Sequence, residues 1–171
     1  LAFHASPLLY GKDEYKSLTP ETRKKMLSSF RVFFRHLPIK YWVFSVKTRE
    51  HRSPEDIERA MRRALIDLLF DNLAYFQQFD TIKIYYDNGQ RSIADALHKA
   101  IDYALSKNAI AYKSTNPTDY RLAQVADYIC TIEFTALKYA VNEATPTDEK
   151  FFGSWSMFKK GILKEVRHKR M

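Results

Sequence analysis

Apolar residues recur at helical spacing in two long stretches of the first half of the chain. Segment 17–37 contains Thr19 and Pro20, which suit a helix N-cap and first helical position, and then carries apolar residues three or four positions apart. Segment 53–79 opens with Ser-Pro and two acidic residues and keeps an apolar stripe over its whole length. Both segments are predicted to be helices, the second being the longest in the chain.

Strand-like patterns alternate with these helices. Segments 39–46, 81–86 and 109–113 are short and rich in β-branched and aromatic residues, which is typical of strands. Segments 92–106 and 119–141 return to helical spacing. Alternation of this kind predicts an α/β fold, in which helices pack on the faces of a sheet and functional sites form where strands end.

Composition favours one soluble domain. The chain has 171 residues, a single cysteine and four glycines, and it contains no repeat or Gly/Ser-rich linker, so we predict a single domain over 1–171. One cysteine excludes an internal disulfide and a cysteine-built zinc site. No apolar run is long enough to span a membrane, and the first residues lack the features of a signal peptide, so we expect a cytoplasmic protein without membrane contact.

Basic residues exceed acidic ones, 28 to 20, which gives a net charge of +8. A basic surface favours polyanions such as nucleic acid, although it also serves solubility alone. The end of the chain, 153–171, is predicted to be a basic helix suited to a nucleic-acid backbone. Complementation of a helix dipole explains the same charges without any partner.

Two aspartates are the candidate chemical groups. Asp87 follows the predicted strand 81–86 in "IYYDNGQ", and Asp127 lies three residues after Gln124 on the predicted helix 119–141. If helix and strand are neighbours, their carboxylates converge as ligands for Mg²⁺ or Mn²⁺. The alternatives are that Asp87 caps a turn and that Asp127 is solvated or ion-paired. The helix's apolar stripe is predicted to comprise Leu122, Val125, Ala126, Ile129, Ala136 and Ala140.

Four segments, in the same order and spacing, resemble the bacterial family called domain of unknown function 3800 (DUF3800). They are "FHASPLLYG", "IYYDNGQ", "DYRLAQVADYIC" and "FFGSWSMFKK". The resemblance implies a ribonuclease H-like mixed sheet flanked by helices, metal ligands at Asp87 and Asp127, and a third acidic residue in a first strand reading Asp-Glu-Ser-Gly. No such tetrapeptide occurs in the sequence. We expect this first acidic strand or hairpin to lie upstream of Leu1; the alternative is a protein that lacks one catalytic carboxylate.

Further residues are assigned supporting roles. The resemblance places His4 near the site, where its imidazole can contact the scissile phosphate or a metal, and a structural loop histidine is the alternative. Asn88, Gln90 and Gln124 are candidates for orienting the aspartates or a bound water. Lys113 and Arg121 are candidate phosphate-binding residues, although most such cations on a basic protein are only solvated.

The predicted function is metal-dependent hydrolysis of phosphodiester bonds in DNA or RNA, with Mg²⁺ or Mn²⁺ as cofactor. The alternative is a catalytically inactive nucleic-acid or protein-binding module of a mobile element or defence system. A small-molecule phosphohydrolase is disfavoured, because the sequence has no Gly-rich phosphate loop of the Walker kind.

Overall fold

The computed structural model describes residues 2–51, 53–80, 82–87, 98–99, 101, 103, 111–115 and 121–171. They divide into two compact units, Leu1–Val43 with Tyr120–Met171, and Phe44–Asp119. The described helices are α1 (Ala5–Tyr10), α2 (Pro20–His36), α3 (Pro54–Asp71), α4 (Leu73–Phe76), α5 (Arg121–Ala140), α6 (Pro146–Phe152), α7 (Trp155–Phe158) and α8 (Lys164–Arg167); the described strands are β1 (Lys83–Asp87) and β2 (Ala111–Thr115).

The first unit is built around α5. One face of this helix is buried and packs against α1 and against the segment Lys159–Leu163. Its buried apolar residues are Val125, Tyr128, Ile129, Ile132, Ala136 and Tyr139. Of the predicted stripe, Leu122, Ala126 and Ala140 are exposed, so the stripe is rotated around the helix from the predicted position.

The second unit contains α3, α4 and a parallel strand pair. Ser53 caps α3 by accepting a hydrogen bond from the Asp56 amide at 3.2 Å. β1 and β2 pair in register from Lys83 opposite Ala111 to Asp87 opposite Thr115.

The predicted long helix 53–79 ends early, at Asp71. Asn72 leaves helical geometry (φ −116°, ψ 21°), and its side-chain amide donates to the Leu68 carbonyl at 2.8 Å. Asparagine competes in this way for backbone partners and so terminates helices. A short helix, α4, follows directly.

The predicted ribonuclease H-like α/β fold is wrong. The described residues are mostly helical, and the pair β1–β2 is the whole of the sheet found in them, so they contain no mixed sheet flanked by helices. The predicted strand 39–46 forms only an isolated bridge, between Tyr41 and Arg170. Its apolar and aromatic residues are typical of a strand in a sheet, which is why a strand was predicted, but such residues favour any half-buried extended segment.

Two of the predicted helices are confirmed, and a third is not. The helix after Thr19 is confirmed as α2, with the Thr19 hydroxyl accepting from the Thr22 amide, and the later helix is confirmed as α5. The basic helix 153–171 is instead two short helices, α7 and α8, joined by a wide turn in which Gly161 is not helical. The predicted helix 92–106 lies mostly outside the described residues.

No helix in the described part of the chain is long and apolar enough to cross a membrane. The prediction of a single domain stays a prediction.

Candidate functional site

Gln124 and Asp127 lie one turn apart on α5 and hold the backbone that leads into α1. The Phe3 amide donates to Gln124 Oε1 at 3.1 Å, and the Ala5 amide donates to Asp127 Oδ2 at 2.8 Å. The first amides of a helix have no partner within the helix, so the Asp127 carboxylate satisfies one of them from outside. Gln124 and Asp127 therefore each hold a different backbone amide near α1, and the role of Gln124 in orienting the aspartates or a water stays a prediction.

His4 is positioned by its own backbone. Its amide donates to the Tyr15 hydroxyl at 3.0 Å, and that hydroxyl donates to the Ala2 carbonyl at 2.9 Å. Tyr15 is fully buried. Its burial raises the pKa of the phenol, with smaller effects that include the charge of Asp127, so it stays a neutral hydrogen-bond donor and acceptor.

The imidazole of His4 meets the carboxylate of Asp127. His4 Nδ1 lies 3.8 Å from Asp127 Oδ2, and each side chain is 36% exposed. The separation is too long for a hydrogen bond. We call this pair the His4–Asp127 corner, and it joins residues that are far apart in the chain.

The corner places one carboxylate oxygen and one imidazole nitrogen close together, and the carboxylate oxygen is the ligand type that Mg²⁺ and Mn²⁺ prefer. An ion bound about 2.1 Å from each of two donors leaves those donors about 3–4 Å apart, as here. Mg²⁺ is commonly held by one or two protein groups and keeps several waters. Within the described residues, no cluster of three His, Cys, Asp or Glu side chains occurs, so the corner offers two donors.

The remaining candidate residues fall elsewhere. Asp87 is the last residue of β1, at the carboxyl end as predicted, and belongs to the second unit. Its role as a metal ligand stays a prediction. Lys113 lies in the middle of β2 rather than at a strand end. Arg121 is exposed and begins α5. Asn88 and Gln90 lie outside the described residues.

Two buried acidic groups were not predicted. Glu133, 5% exposed, accepts a hydrogen bond from the Tyr41 hydroxyl at 2.7 Å and pairs with Arg167 at 2.7 Å. Asp148, 1% exposed, pairs with Lys138 at 2.5 Å. The sequence signal for Asp148 was available, because "TPTD" has the spacing of a capping box, which forms at Thr145.

The cations near the C-terminus divide into two groups. Three have intramolecular partners: Lys169 donates to the carbonyls of Arg35 and Leu37 at the end of α2, while Arg167 and Arg170 face Glu133. Three others, Lys159, Lys160 and Lys164, are exposed. No carboxylate of the described residues forms an ion pair with them.

No protein-family model matches the chain, and neither a curated protein nor a solved structure matches it significantly. The resemblance to DUF3800 therefore stays a prediction.

Proposed function

We propose that this protein is a metal-dependent nuclease that hydrolyses phosphodiester bonds in nucleic acid. The observation that supports the proposal is the His4–Asp127 corner, where the imidazole and carboxylate approach to 3.8 Å with both side chains partly exposed to solvent. The net charge of +8 favours a polyanionic substrate. A cytoplasmic location is part of the same proposal.

The two residues have distinct roles in this proposal. The Asp127 carboxylate holds the cation, and the His4 imidazole either shares it or exchanges a proton with a phosphate oxygen. A bound Mg²⁺ or Mn²⁺ supplies charge stabilisation and polarises water. The hydrogen bonds at Phe3 and Ala5 fix the backbone on both sides of His4, which limits the movement of its side chain relative to Asp127.

A second candidate function is a nucleic-acid-binding module without catalysis. It is favoured by the contacts of Gln124 and Asp127, since both side chains hold backbone amides near α1. In this case Asp127 serves as a helix cap and the corner binds no ion.

Cleavage of labelled DNA and RNA oligonucleotides tests the proposal. The purified chain is incubated with each substrate in Mn²⁺ and, separately, in chelator. We expect cleavage only with Mn²⁺. We expect Asp127→Asn to reduce the rate of cleavage more than about 100-fold, because mutating a residue that only positions a metal ligand already reduces metal affinity or activity about 10- to 100-fold.

The matched control is Glu149→Gln, which removes one exposed negative charge elsewhere in the same unit. It should cleave like the wild type. Cleavage that persists unchanged in Asp127→Asn contradicts the proposal, and binding of nucleic acid without cleavage by any form of the protein favours the second candidate.

A further inference from the structure

The segment from Trp155 to Arg167 borders an open groove of about 580 Å³. Five of its lining side chains matter here: Trp155, Lys159, Lys160, Lys164 and Arg167. We call it the C-terminal groove. Trp155 lies on α7, Lys159 and Lys160 lie in the segment Lys159–Leu163, and Lys164 and Arg167 lie on α8. The kink at Gly161 therefore keeps these residues from forming one straight helix.

The charge of the groove is of one sign. None of its described lining residues is acidic. Arg167 donates to the buried carboxylate of Glu133, and that contact anchors the end of the segment to α5. Lys159, Lys160 and Lys164 are exposed residues, and exposed lysines of this kind are suited to bind phosphates.

Trp155 supplies a flat apolar surface beside these cations. Its indole stacks on the Tyr139 ring, with centroids 5.7 Å apart and planes inclined by 23°, so the ring is held in place from below. It is 36% exposed. The Lys159 ammonium lies 5.9 Å from the ring centroid, and its long side chain can swing from the ring to a phosphate when a base stacks there.

We propose that the C-terminal groove binds single-stranded nucleic acid, with phosphates on Lys159, Lys160 and Lys164 and one base stacked on Trp155. Aromatic rings next to a cationic track are how proteins bind single strands without reading sequence. The bases of a duplex are stacked on one another and offer Trp155 no free face. The inference rests on the proposed function in that it names the form of nucleic acid that the protein would act on.

Fluorescence anisotropy in chelator tests this groove, because binding is then measured without metal-dependent chemistry. The probe is a labelled oligothymidylate of about 12 nucleotides, within the usual site size of single-strand binders. The double variant Lys160→Gln/Lys164→Gln should bind at least about tenfold more weakly. Its plot of log affinity against log salt should be shallower by about 1.4, since each phosphate contact on a single strand contributes about 0.7.

The matched control is Lys16→Gln/Lys25→Gln, which removes the same charge from two exposed positions in the same unit. It should keep the affinity and most of the salt dependence. Trp155→Ala should weaken binding about tenfold, because it removes a stacking contact. It removes no charged group, so the dependence of affinity on salt should change little. Thermal melts confirm that each variant is folded.

Three results overturn the inference: equal affinity in the wild type and the lysine double variant, a matched control that loses as much affinity, or tighter binding to a duplex or to phosphatidylserine vesicles than to the single strand. The experiments can contradict the proposed groove and the proposed nuclease activity independently. Binding that depends on the groove without any cleavage in Mn²⁺ contradicts only the nuclease, and cleavage that is unaffected by the lysine variant contradicts only the groove.

Discussion

At the scale of single residues, Asp127 accepts a hydrogen bond from the first amide of α1 and is also the proposed metal ligand. Its position three residues after Gln124 on a helix was predictable from helical spacing. Its contact with the Ala5 amide joins parts of the chain more than a hundred residues apart. Long-range contacts of this kind leave no local pattern, so the capping role could not be predicted.

The capping role of Asp127 predicts different effects for two substitutions. Asp127→Ala removes the acceptor of the Ala5 amide and should lower the free energy of unfolding by about 1 kcal/mol, the usual cost of losing an N-cap group. Asp127→Asn keeps an oxygen that can accept this hydrogen bond and should unfold like the wild type. Urea unfolding curves measure both. Equal stability of all three proteins would mean that the contact contributes nothing.

At the scale of elements, the sequence predicted what local patterns encode. α2, α5 and β1 were predicted correctly, because caps, helical spacing and a β-branched run are local signals. The extended segment 39–46 was assigned to a sheet, but it pairs with the chain terminus at one position only. Whether an extended segment finds strand partners depends on distant residues, and this is why the fold class was wrong.

The link between α6 and α7 depends on the backbone of Gly153. Its φ is 74° and ψ is −156°, a conformation that essentially only glycine adopts, and an added Cβ would lie 2.9 Å from the sulfur of Met157. Gly153→Ala should therefore lower the free energy of unfolding by about 1–3 kcal/mol, seen as a lower midpoint in urea.

The control for this prediction is Gly161→Ala. Its φ is negative, and a Cβ there meets no atom within 4 Å. The substitution should have a much smaller effect than Gly153→Ala. If both variants unfold at the same urea concentration, the backbone at Gly153 does not constrain this part of the fold.

At the scale of the whole molecule, buried acidic groups predict loss of stability in acid. Burial raises the pKa of both carboxyls, Glu133 and Asp148, but hydrogen bonds to each of them have a larger, opposite effect. Arg167 and Tyr41 donate to Glu133 and hold its pKa below the usual range. Lys138 and Thr145 donate to Asp148 and hold its pKa below the usual range as well. A lowered pKa in the folded state contributes stability that is full above the pKa of the unfolded state and is lost as pH falls through the folded value.

The free energy of unfolding should therefore be constant from neutral pH to about pH 5. It should fall below about pH 4, because the pH is then below the pKa values of about 4 to 4.5 that these carboxyls have in the unfolded chain. Glu133→Gln should be less stable than the wild type at pH 7 and should lose less stability between pH 5 and pH 3. Chemical unfolding measured at several pH values tests this. Parallel curves for the two proteins would show that Glu133 is not a source of the acid sensitivity.

The central claim is that the His4–Asp127 corner binds a divalent cation, and the melting temperature with and without Mn²⁺ tests it most directly. A ligand that binds only the folded protein raises its stability in proportion to the logarithm of its concentration. We expect Mn²⁺ to raise the melting temperature of the wild type and of Glu149→Gln. Asp127→Asn should melt near the wild type in chelator and gain nothing from Mn²⁺. A wild type that shows no response to Mn²⁺, or an Asp127→Asn variant that responds equally, would contradict the account and leave Asp127 as the cap of α1 alone.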